Sequence, residues 1–579
     1  MTDTAWEPLL RAPPFPDLAR PFSVAGAASD ARDDMPEPEA LFAPIRSARV
    51  GGSFWAAPAS LSRAPITVLK PGSAGGISAL AEGLSASERE GALWIGGTPD
   101  IDRKLARIAA DLGGQRCGGA IDPWSVLRPE VHEPPSMVVA HGSDEWIALA
   151  RIAGVDVRVL SPGRFGAPGL AASAMDARIA AALQAEHWHD PFDGGAMTQE
   201  QAIALLSEWR RILEGNGGLV AASGMAWWKR AEIRRFLWKP DQSLTITLSP
   251  ARAIRIARKA GGAVAIWPSR VSPRLEQAAQ AKGVSLVRVE DGFVRSVGLG
   301  SNLVPPSSIV VDRQGIHFDP SRPSDLETIL AHTRFLPEML GRADSLRQAI
   351  VASGISKYGV GGSGDAGPLA RTSGKRVVLV PGQVEDDMSV LAGGGGLASN
   401  LELIKRVRRI EPDAEIWWRP HPDVDAGHRV GAVPDADALQ HADRIVRGGS
   451  MATLLDGVDA VHVLTSLTGF EALMRGREVV CHGTPFYAGW GLTRDLGAVP
   501  DRRGRQLTLD ALVAGVLILY PRYLDPVTGL PCPPEVLIRR MAQGAARNRQ
   551  GWIAPIRHWQ GRMLARLRQG VAHLRPRSR

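Results

Sequence analysis

Short apolar runs alternate with helical segments along most of this chain, and this alternation constrains its fold more than any other feature. Each run has the length of a buried strand, and apolar residues recur at helical spacing in the segments between them. Such alternation predicts parallel sheets covered by helices, an α/β fold. The predicted strands are Ile66–Leu69, Leu93–Ile95, Met137–Ala140, Val155–Leu160, Val264–Trp267, Ser285–Val289, Lys375–Val380, Ile416–Trp418, Ala460–Leu464 and Glu478–Cys481.

Breaks in this pattern divide the chain, which at 579 residues is too long for a single core. Residues 1–60 are rich in Pro, Ala and Asp and predict an irregular segment. Residues 61–240 form a first α/β module, and residues 241–355 and 375–535 form two further lobes. Residues 536–579 form a basic amphipathic tail.

Composition favours a protein of a reducing compartment. The three cysteines, Cys117, Cys481 and Cys532, match neither a metal-ligand spacing nor a disulfide framework. The first residues do not have the pattern of a signal peptide. The longest apolar run, Ala511–Tyr520, is about half as long as a membrane-spanning helix. We therefore expect a cytoplasmic protein.

The net charge of +8 is concentrated in the tail, where residues 547–579 contain nine Arg and no Lys, Asp or Glu. The rest of the chain is close to neutral, which argues against nucleic acid as a partner, because that needs a basic face. In the tail, Trp, Ile, Met and Leu alternate with Arg, a pattern typical of a helix lying on anionic lipid. The alternative is a solvated arginine-rich end.

Two adjacent acids, Glu290 and Asp291, end a predicted strand and precede Gly292. In open α/β sheets, ligands lie beyond the carboxyl ends of the strands. Two carboxylates in that position suit a general acid/base pair or a nucleophile. The alternative is a polar turn in which Asp291 caps the next segment.

A second candidate is His421-Pro422, which follows the predicted strand Ile416–Trp418. The imidazole would project from the same kind of strand end, and Arg419 adds a guanidinium that could hold phosphate. Alternatively, the pair simply terminates the strand.

Hydroxyl residues and a glycine follow the strand Ala460–Leu464 at the start of a predicted helix. Backbone amides at such a helix end bind anions, and Ser466 and Thr468 add donors. Glu471, one turn later, could accept hydrogen bonds from ribose hydroxyls. The alternative is ordinary helix capping by Ser466 or Thr468.

Amide and acid side chains also follow the strand Lys375–Val380. Gln383, Glu385 and Asp386 would suit a polyhydroxylated ligand, or would form a solvated acidic loop. Because no histidines or further carboxylates cluster around them, we expect no metal site.

The chain also contains a faint internal repeat. Residues 154–170 align without gaps with residues 476–492, and each segment precedes a helix that begins at a threonine, Thr198 or Thr508. The first module therefore resembles a copy of the last lobe, in which Leu149 takes the place of Glu471. The alternative is a chance similarity between two βα units.

Taken together, these motifs resemble the capsule polysaccharide biosynthesis glycosyltransferases of Gram-negative bacteria. Those are β-Kdo transferases, which build an oligo-Kdo linker on a lipid. The resemblance extends from about residue 245 to residue 530. It rests on residues 288–300 (RVEDGFVRSVGLG), 319–325 (DPSRPSD), 380–387 (VPGQVEDD), 419–424 (RPHPDV), 464–473 (LTSLTGFEAL), 485–493 (PFYAGWGLT) and 520–523 (YPRY).

The resemblance implies a GT-B fold, two Rossmann-like lobes with CMP-Kdo bound between them and no metal or other cofactor. Asp291, with Glu290 beside it, would be the catalytic carboxylate. The residues implied to bind the nucleotide or its phosphate are His421, Pro422, Arg419, Ser466, Thr468 and Glu471. Those expected to contact the sugar or the acceptor are Arg295, Gln383, Glu385 and Asp386.

The implied partners are a lipid-linked, Kdo-terminated acceptor, the inner face of the inner membrane and other proteins of capsule assembly or export. The family's larger members carry two complete modules, whereas residues 1–240 lack a second acid pair before glycine and a second His-Pro. We therefore expect a degenerate, non-catalytic first module. Two other functions remain open: transfer of another CMP-activated acidic sugar, and a non-catalytic role in polysaccharide assembly.

Overall fold

The computed structural model describes residues 6–26, 37–130, 132–294, 305–356, 359–360 and 374–544. The chain forms two compact units. We call residues 1–217 with 238–243 the front unit, and residues 218–237 with 244–579 the rear unit.

The front unit is built on a parallel sheet of strand order β4-β3-β2-β5-β6, the 3-2-1-4-5 order of a doubly wound fold. A smaller antiparallel sheet has the order β1-β7-β8. The strands are β1 (Ser23–Ala25), β2 (Thr67–Leu69), β3 (Ala92–Ile95), β4 (Gln115–Cys117), β5 (Met137–Ala140), β6 (Asp156–Val159), β7 (Glu186–His189) and β8 (Ala196–Met197).

The helices of the front unit are α1 (Pro38–Ala48), α2 (Gly76–Glu82), α3 (Ala86–Glu90), α4 (Pro99–Arg107), α5 (Ala109–Leu112), α6 (Trp124–Leu127), α7 (Glu145–Ala153), α8 (Ala172–Gln184) and α9 (Gln199–Gly215). The prediction of an irregular segment over residues 1–60 was wrong for α1 and β1. Helix α1 forms because Pro38 suits a first turn, and it buries Phe42 and Ile45.

The rear unit contains two lobes. The first lobe has the sheet order β10-β9-β11-β12-β13-β22-β23, and the second lobe has the parallel order β18-β17-β16-β19-β20-β21. The strands are β9 (Leu219–Ser223), β10 (Thr245–Thr247), β11 (Ala263–Ile266), β12 (Leu286–Asp291), β13 (Ser308–Asp312), β14 (Ile355–Ser356), β15 (Gly359–Val360), β16 (Val377–Pro381), β17 (Glu415–Arg419), β18 (Arg444–Ile445), β19 (Ala460–Val463), β20 (Glu478–Cys481), β21 (Arg494–Asp495), β22 (Pro521–Leu524) and β23 (Pro531–Cys532).

Helices cover these sheets, as the alternation predicts. They are α10 (Arg230–Phe236), α11 (Pro250–Ala260), α12 (Pro273–Gln280), α13 (Asp325–His332), α14 (Pro337–Ala352), α15 (Met388–Gly393), α16 (Asn400–Ile410), α17 (Pro422–Asp425), α18 (Asp435–Ala438), α19 (Met451–Asp456), α20 (Leu467–Met474), α21 (Leu509–Val513) and α22 (Pro534–Ala542). The predicted α/β fold with two Rossmann-like lobes is confirmed.

The structure divides the chain differently from the sequence in three places. Residues 218–237 belong to the rear unit, because β9 pairs in parallel with β11. Strand β22 returns to the first lobe by pairing with β13. The first residues of the predicted tail form α22, which buries Val536, Leu537, Ile538 and Met541. Residues 545–579, the rest of that tail, lie outside the described residues.

A buried ionic cluster ties the two lobes of the rear unit together. Glu327, in α13, accepts hydrogen bonds from Arg502 Nε at 2.8 Å and from Arg503 Nε at 2.6 Å. Arg503 also donates to the carbonyls of Pro485 and Ala488. Burial lowers the pKa of the Arg503 guanidinium, although the Glu327 carboxylate opposes that shift. The cluster therefore anchors the segment around Pro485 against the first lobe.

Two buried histidines contact each other in the second lobe. Nδ1 of His462, in β19, lies 3.1 Å from Nε2 of His482, and Nε2 of His462 lies 3.5 Å from the Glu411 carboxylate. Burial lowers the pKa of His462 to about 3, with smaller effects from His482 and Arg376. Burial, then Arg406, lowers the pKa of His482 to about 4. Both rings are therefore neutral in the folded protein near neutral pH.

Acid is expected to destabilise the rear unit through this pair. In the unfolded chain both histidines gain protons near pH 6.5, whereas in the folded chain they gain them only near pH 3 to 4. Between these values the unfolded state binds more protons, so the free energy of unfolding decreases as the pH falls. The slope reaches about 1.4 kcal/mol per pH unit for each histidine.

Urea unfolding between about pH 7 and pH 4 measures this slope. The double variant His462→Leu/His482→Leu should have a shallower slope than the wild type. Replacement of the exposed His428 by Gln should leave the slope unchanged. An equal slope in the wild type and the double variant would contradict this explanation.

In the described part of the chain, no helix is both long and apolar enough to cross a membrane.

Candidate functional site

The two adjacent acids lie at the carboxyl end of β12, inside the first lobe's sheet. The strand extends through Glu290 and Asp291, beyond its predicted end, because β13 pairs with it up to Ile309. The backbone N–H of Asp291 donates to Glu290 Oε1 at 3.1 Å. Lys229 Nζ lies 2.8 Å from Asp291 Oδ1. Both acids are thus partly buried; the Glu290 carboxylate accepts from the Asp291 backbone, and the Asp291 carboxylate contacts a cation.

Both acids line a cavity of about 280 Å³ between the two lobes, which we call the acid pocket. Its wall also includes an aromatic group, in which the Phe293 ring lies 4.6 Å from the Phe486 ring and 4.8 Å from the His317 ring, centroid to centroid. The second lobe contributes Asp387, Met388, Ser389, Thr465 and Leu467. The pocket thus combines carboxylates with an apolar wall, as small-molecule sites commonly do.

His421 lies at the carboxyl end of the second lobe's sheet, where it caps the short helix α17. Its Nδ1 accepts the backbone N–H of Asp423 at 3.2 Å. A neutral ring with an accepting Nδ1 carries its proton on Nε2, which is then a donor. Arg419, at the end of β17, donates instead to the carbonyls of Gly448 and Gly449. His421 therefore presents a donor, and the Arg419 guanidinium holds a neighbouring loop.

Helix α20 presents its first turn at the same edge. Ser466 caps it by accepting the Thr468 backbone N–H at 3.2 Å, so the capping alternative holds, while both hydroxyls stay at the helix end. Glu471 lies one turn further and is almost wholly buried. Gly469 is required here, because a Cβ at this position would lie 2.3 Å from the Tyr487 hydroxyl.

These groups line a second cavity of about 120 Å³, which we call the imidazole pocket. Its walls include Gln383, Arg419, His421, Pro422, Ser466, Thr468 and Glu471. Asp387, Ser389, Thr465 and Leu467 line both pockets, so the two cavities adjoin. The structure thus brings the acid pair and the imidazole into two adjoining cavities, which together we call the cleft; both lobes line the acid pocket, and the second lobe lines the imidazole pocket.

The three residues after β16 that were predicted to contact a ligand lie in different places. Gln383 Nε2 donates to Thr465 Oγ1 at 3.0 Å, and the side chain lies in the imidazole pocket. Glu385 instead accepts the Asn400 backbone N–H, and Asp386 pairs with Arg429 at the surface. Among the described residues that line the two pockets, neither Glu385 nor Asp386 appears. Arg295 lies outside the described residues.

Sequence reasoning did not select two polar residues, one that lines both pockets and one that contacts an acid of the pair. Asp387 lines both pockets and caps α15 by accepting the Ser389 backbone N–H, and its position after Asp386 in an acidic run was the available signal. Lys229 reaches Asp291 across 62 residues of sequence, which no local motif indicates. In the described ranges, no group of three or more His, Cys, Asp or Glu residues is placed to hold a metal ion; the expectation of a metal-free reaction stays a prediction.

The front unit repeats the second lobe strand for strand. Its order β4-β3-β2-β5-β6 corresponds to β18-β17-β16-β19-β20. Strands β2 and β3 pair from their first residues, Thr67 and Ala92, as β16 and β17 do from Val377 and Glu415. After β3, Thr98 caps α4, where the second lobe has His421 capping α17.

The front copy differs at the positions that form the cleft. Asp144 caps α7 where Ser466 caps α20, which places a carboxylate where a hydroxyl stands in the second lobe. Leu149 replaces Glu471 and is fully buried. A Cβ at Gly52, where φ is +58°, would lie 2.7 Å from Leu149 Cδ1, so backbone near Gly52 covers this position. The front unit therefore does not reproduce the second lobe's set of polar groups.

Comparison with known proteins agrees with the family resemblance of the sequence motifs. The family described as capsule polysaccharide biosynthesis protein matches residues 262–357 and 363–523. The capsule polysaccharide modification protein LipA of Neisseria meningitidis is 41% identical over 349 residues, which are 60% of this chain and 49% of LipA. The lipopolysaccharide-processing protein LpsZ of Rhizobium meliloti is 43% identical over 263 residues, 45% of this chain and 59% of LpsZ.

Among solved structures, the KpsC β-Kdo 2,7 transferase of Thermosulfurimonas dismutans is 34% identical, with a TM-score of 0.46; the match covers 56% of this chain and 99% of that one. The present chain spans about half the length of the curated relatives that it matches.

Proposed function

Because the chain belongs to the family of capsule polysaccharide biosynthesis proteins, we propose that its rear unit transfers Kdo from CMP-Kdo to a lipid-linked, Kdo-terminated acceptor. One observation supports this proposal above the others. A carboxylate pair lines a pocket between two Rossmann-like lobes, and an imidazole beside a hydroxyl-bearing helix end lines an adjoining pocket in the second lobe.

The imidazole pocket suits the nucleotide. The His421 Nε2 proton and the first turn of α20 supply donors for a phosphate, and helix N-termini favour anions. Glu471, one turn along in the lining of the same pocket, would accept hydrogen bonds from ribose hydroxyls. As the bond to the sugar breaks, these donors stabilise the charge that develops on the departing phosphate. CMP leaves with a single phosphate, which these groups can hold without a metal ion.

The acid pocket suits the sugar. Glycosyl transfer passes through an oxocarbenium-like transition state, in which positive charge develops at the anomeric carbon. A carboxylate close to that carbon stabilises the charge. We assign this role to Asp291, with Glu290 beside it, and we assign the acceptor to the open side of the same pocket.

A lipid-linked acceptor implies that the transfer reaction takes place at a membrane surface. We propose that the protein binds the inner face of the inner membrane through residues 547–579, whose nine arginines would meet anionic headgroups. Other proteins of capsule assembly or export are further proposed partners.

Transfer is tested by incubating the purified full chain with CMP-Kdo and a synthetic Kdo-terminated lipid. Mass spectrometry should show the acceptor gaining the mass of one or more Kdo residues. Transfer from another CMP-activated acidic sugar but not from CMP-Kdo would replace the donor in this proposal. Absence of CMP binding in calorimetry would instead favour a non-catalytic role in polysaccharide assembly.

Replacing His421 with Ala is expected to weaken CMP binding by about 10- to 100-fold, the usual effect of losing a hydrogen bond to a charged group. Calorimetric titration with CMP measures this change. Replacement of His428 with Ala is the matched control, because this exposed histidine lies outside the lining of the imidazole pocket. Equal affinity in the wild type and His421→Ala would place the phosphate elsewhere.

A further inference from the structure

A buried lysine accompanies the acid pair. Lys229 ends a short turn, Trp227–Lys229, that leads into α10. Its Nζ lies 2.8 Å from Asp291 Oδ1 and 3.6 Å from the centre of the Trp267 ring. The side chain of Lys229 is 11% exposed and that of Asp291 is 14% exposed. The ammonium is thus held at one place, beside the carboxylate assigned to the reaction.

Three separate elements hold this ammonium. The turn before α10 supplies the lysine, the residue after β11 supplies the indole, and the end of β12 supplies the carboxylate. A cation over an indole face is attracted by the ring, and more strongly where water is excluded. Taking an ion pair out of water costs free energy that its mutual attraction often fails to recover. Fold stability alone is therefore a weak reason for a buried charged pair whose carboxylate lines a pocket.

The proposed donor needs a cation at this position. Kdo carries its own carboxylate directly on the anomeric carbon, the atom that Asp291 has to approach. Two carboxylates brought that close repel strongly in a site of low polarity. A positive charge that touches one of them reduces this repulsion. A lysine ammonium has three donors, so it can meet two carboxylates at once.

We propose that Lys229 binds the carboxylate of the donor sugar and thereby selects acidic sugars whose carboxylate adjoins the anomeric carbon. This inference rests on the proposed function, because it concerns the same pocket and donor. It adds a specificity-determining residue from a segment, residues 218–237, that precedes the region of the family match.

The test compares three inhibitors of the full-length protein: CMP, a non-hydrolysable carbon-linked analogue of CMP-Kdo, and the same analogue with its sugar carboxylate converted to an amide. The wild type should bind the acid about 10- to 100-fold more tightly than the amide. Lys229→Met should bind both analogues equally, whereas Lys229→Arg, which keeps the charge, should retain a preference for the acid. CMP should bind equally to all three proteins, because the nucleotide pocket is unchanged.

A merely structural lysine would not produce this pattern. If Lys229→Met kept the full preference for the acid, the carboxylate would bind elsewhere and the inference would be overturned. If the wild type did not bind CMP, the proposed function would fail instead. Circular dichroism and thermal unfolding report whether the variants fold. Should Lys229→Met not fold, Lys229→Gln replaces it, because glutamine keeps a donor toward Asp291 without the charge. This variant should likewise bind the acid and the amide equally.

Discussion

Replacing Asp291 with Asn is expected to reduce Kdo transfer by about 10³-fold or more while leaving CMP affinity within about twofold of the wild type. The substitution keeps the shape of the side chain but removes the negative charge that faces the anomeric carbon. The nucleotide groups lie in the second lobe, at the other end of the cleft, and are not altered. The measurements are initial rates with the Kdo-terminated lipid and calorimetric titration with CMP.

Asp413→Asn is the matched control, because this carboxylate is exposed in the turn between α16 and β17. It should retain the activity of the wild type. Thermal unfolding of both variants checks that the loss of the partner of Lys229 does not unfold the protein. Substantial activity in Asp291→Asn would mean that another carboxylate reacts, or that the front unit has a site of its own.

Replacing Glu327 with Gln is expected to destabilise the rear unit by about 3 to 5 kcal/mol, because it leaves a buried guanidinium without its counter-charge. Arg503 is only 2% exposed, and its Nε lies 2.6 Å from Glu327 Oε1. Glutamine keeps one acceptor oxygen, which can stay on the Ser324 backbone N–H of the capping box, but its amide NH2 then faces the Arg503 Nε–H, so the change removes both the charge and one acceptor. Because the cluster also holds the carbonyl of Pro485, in the acid pocket, transfer should fall as well.

Urea unfolding followed by tryptophan fluorescence measures the difference. Glu338→Gln, at an exposed position near the start of α14, should change the free energy of unfolding by less than about 1 kcal/mol. Equal unfolding midpoints for Glu327→Gln and Glu338→Gln would show that the cluster does not support the fold.

Much of the cleft could be predicted from sequence, because many of its polar residues lie at or just after the ends of strands. Glu290 and Asp291, His421, and Ser466 each follow a run that is legible as a strand, and parallel strands in an α/β sheet end at one edge. Local reasoning therefore places each group at the correct edge of its sheet. It also identified the front unit as a copy of the second lobe in which Leu149 stands in place of Glu471.

The remaining features depend on contacts between distant segments. Lys229 comes from a segment that the sequence assigned to the first module, and only the pairing of β9 with β11 brings it to Asp291. Strand β22 returns to the first lobe through β13, which no local periodicity reveals. Glu385 and Asp386 were selected for residue type alone, whereas Asp387 lines the cleft because it starts α15.

The central claim is that the acid pair and the imidazole serve one nucleotide sugar in a shared cleft. A crystal structure of the protein with the carbon-linked CMP-Kdo analogue tests this most directly. We predict density for one analogue in the rear unit, with its phosphate in contact with His421 and the first turn of α20, and its anomeric carbon beside Asp291. An analogue bound in the front unit, or bound with its sugar turned away from both acids, would contradict the claim.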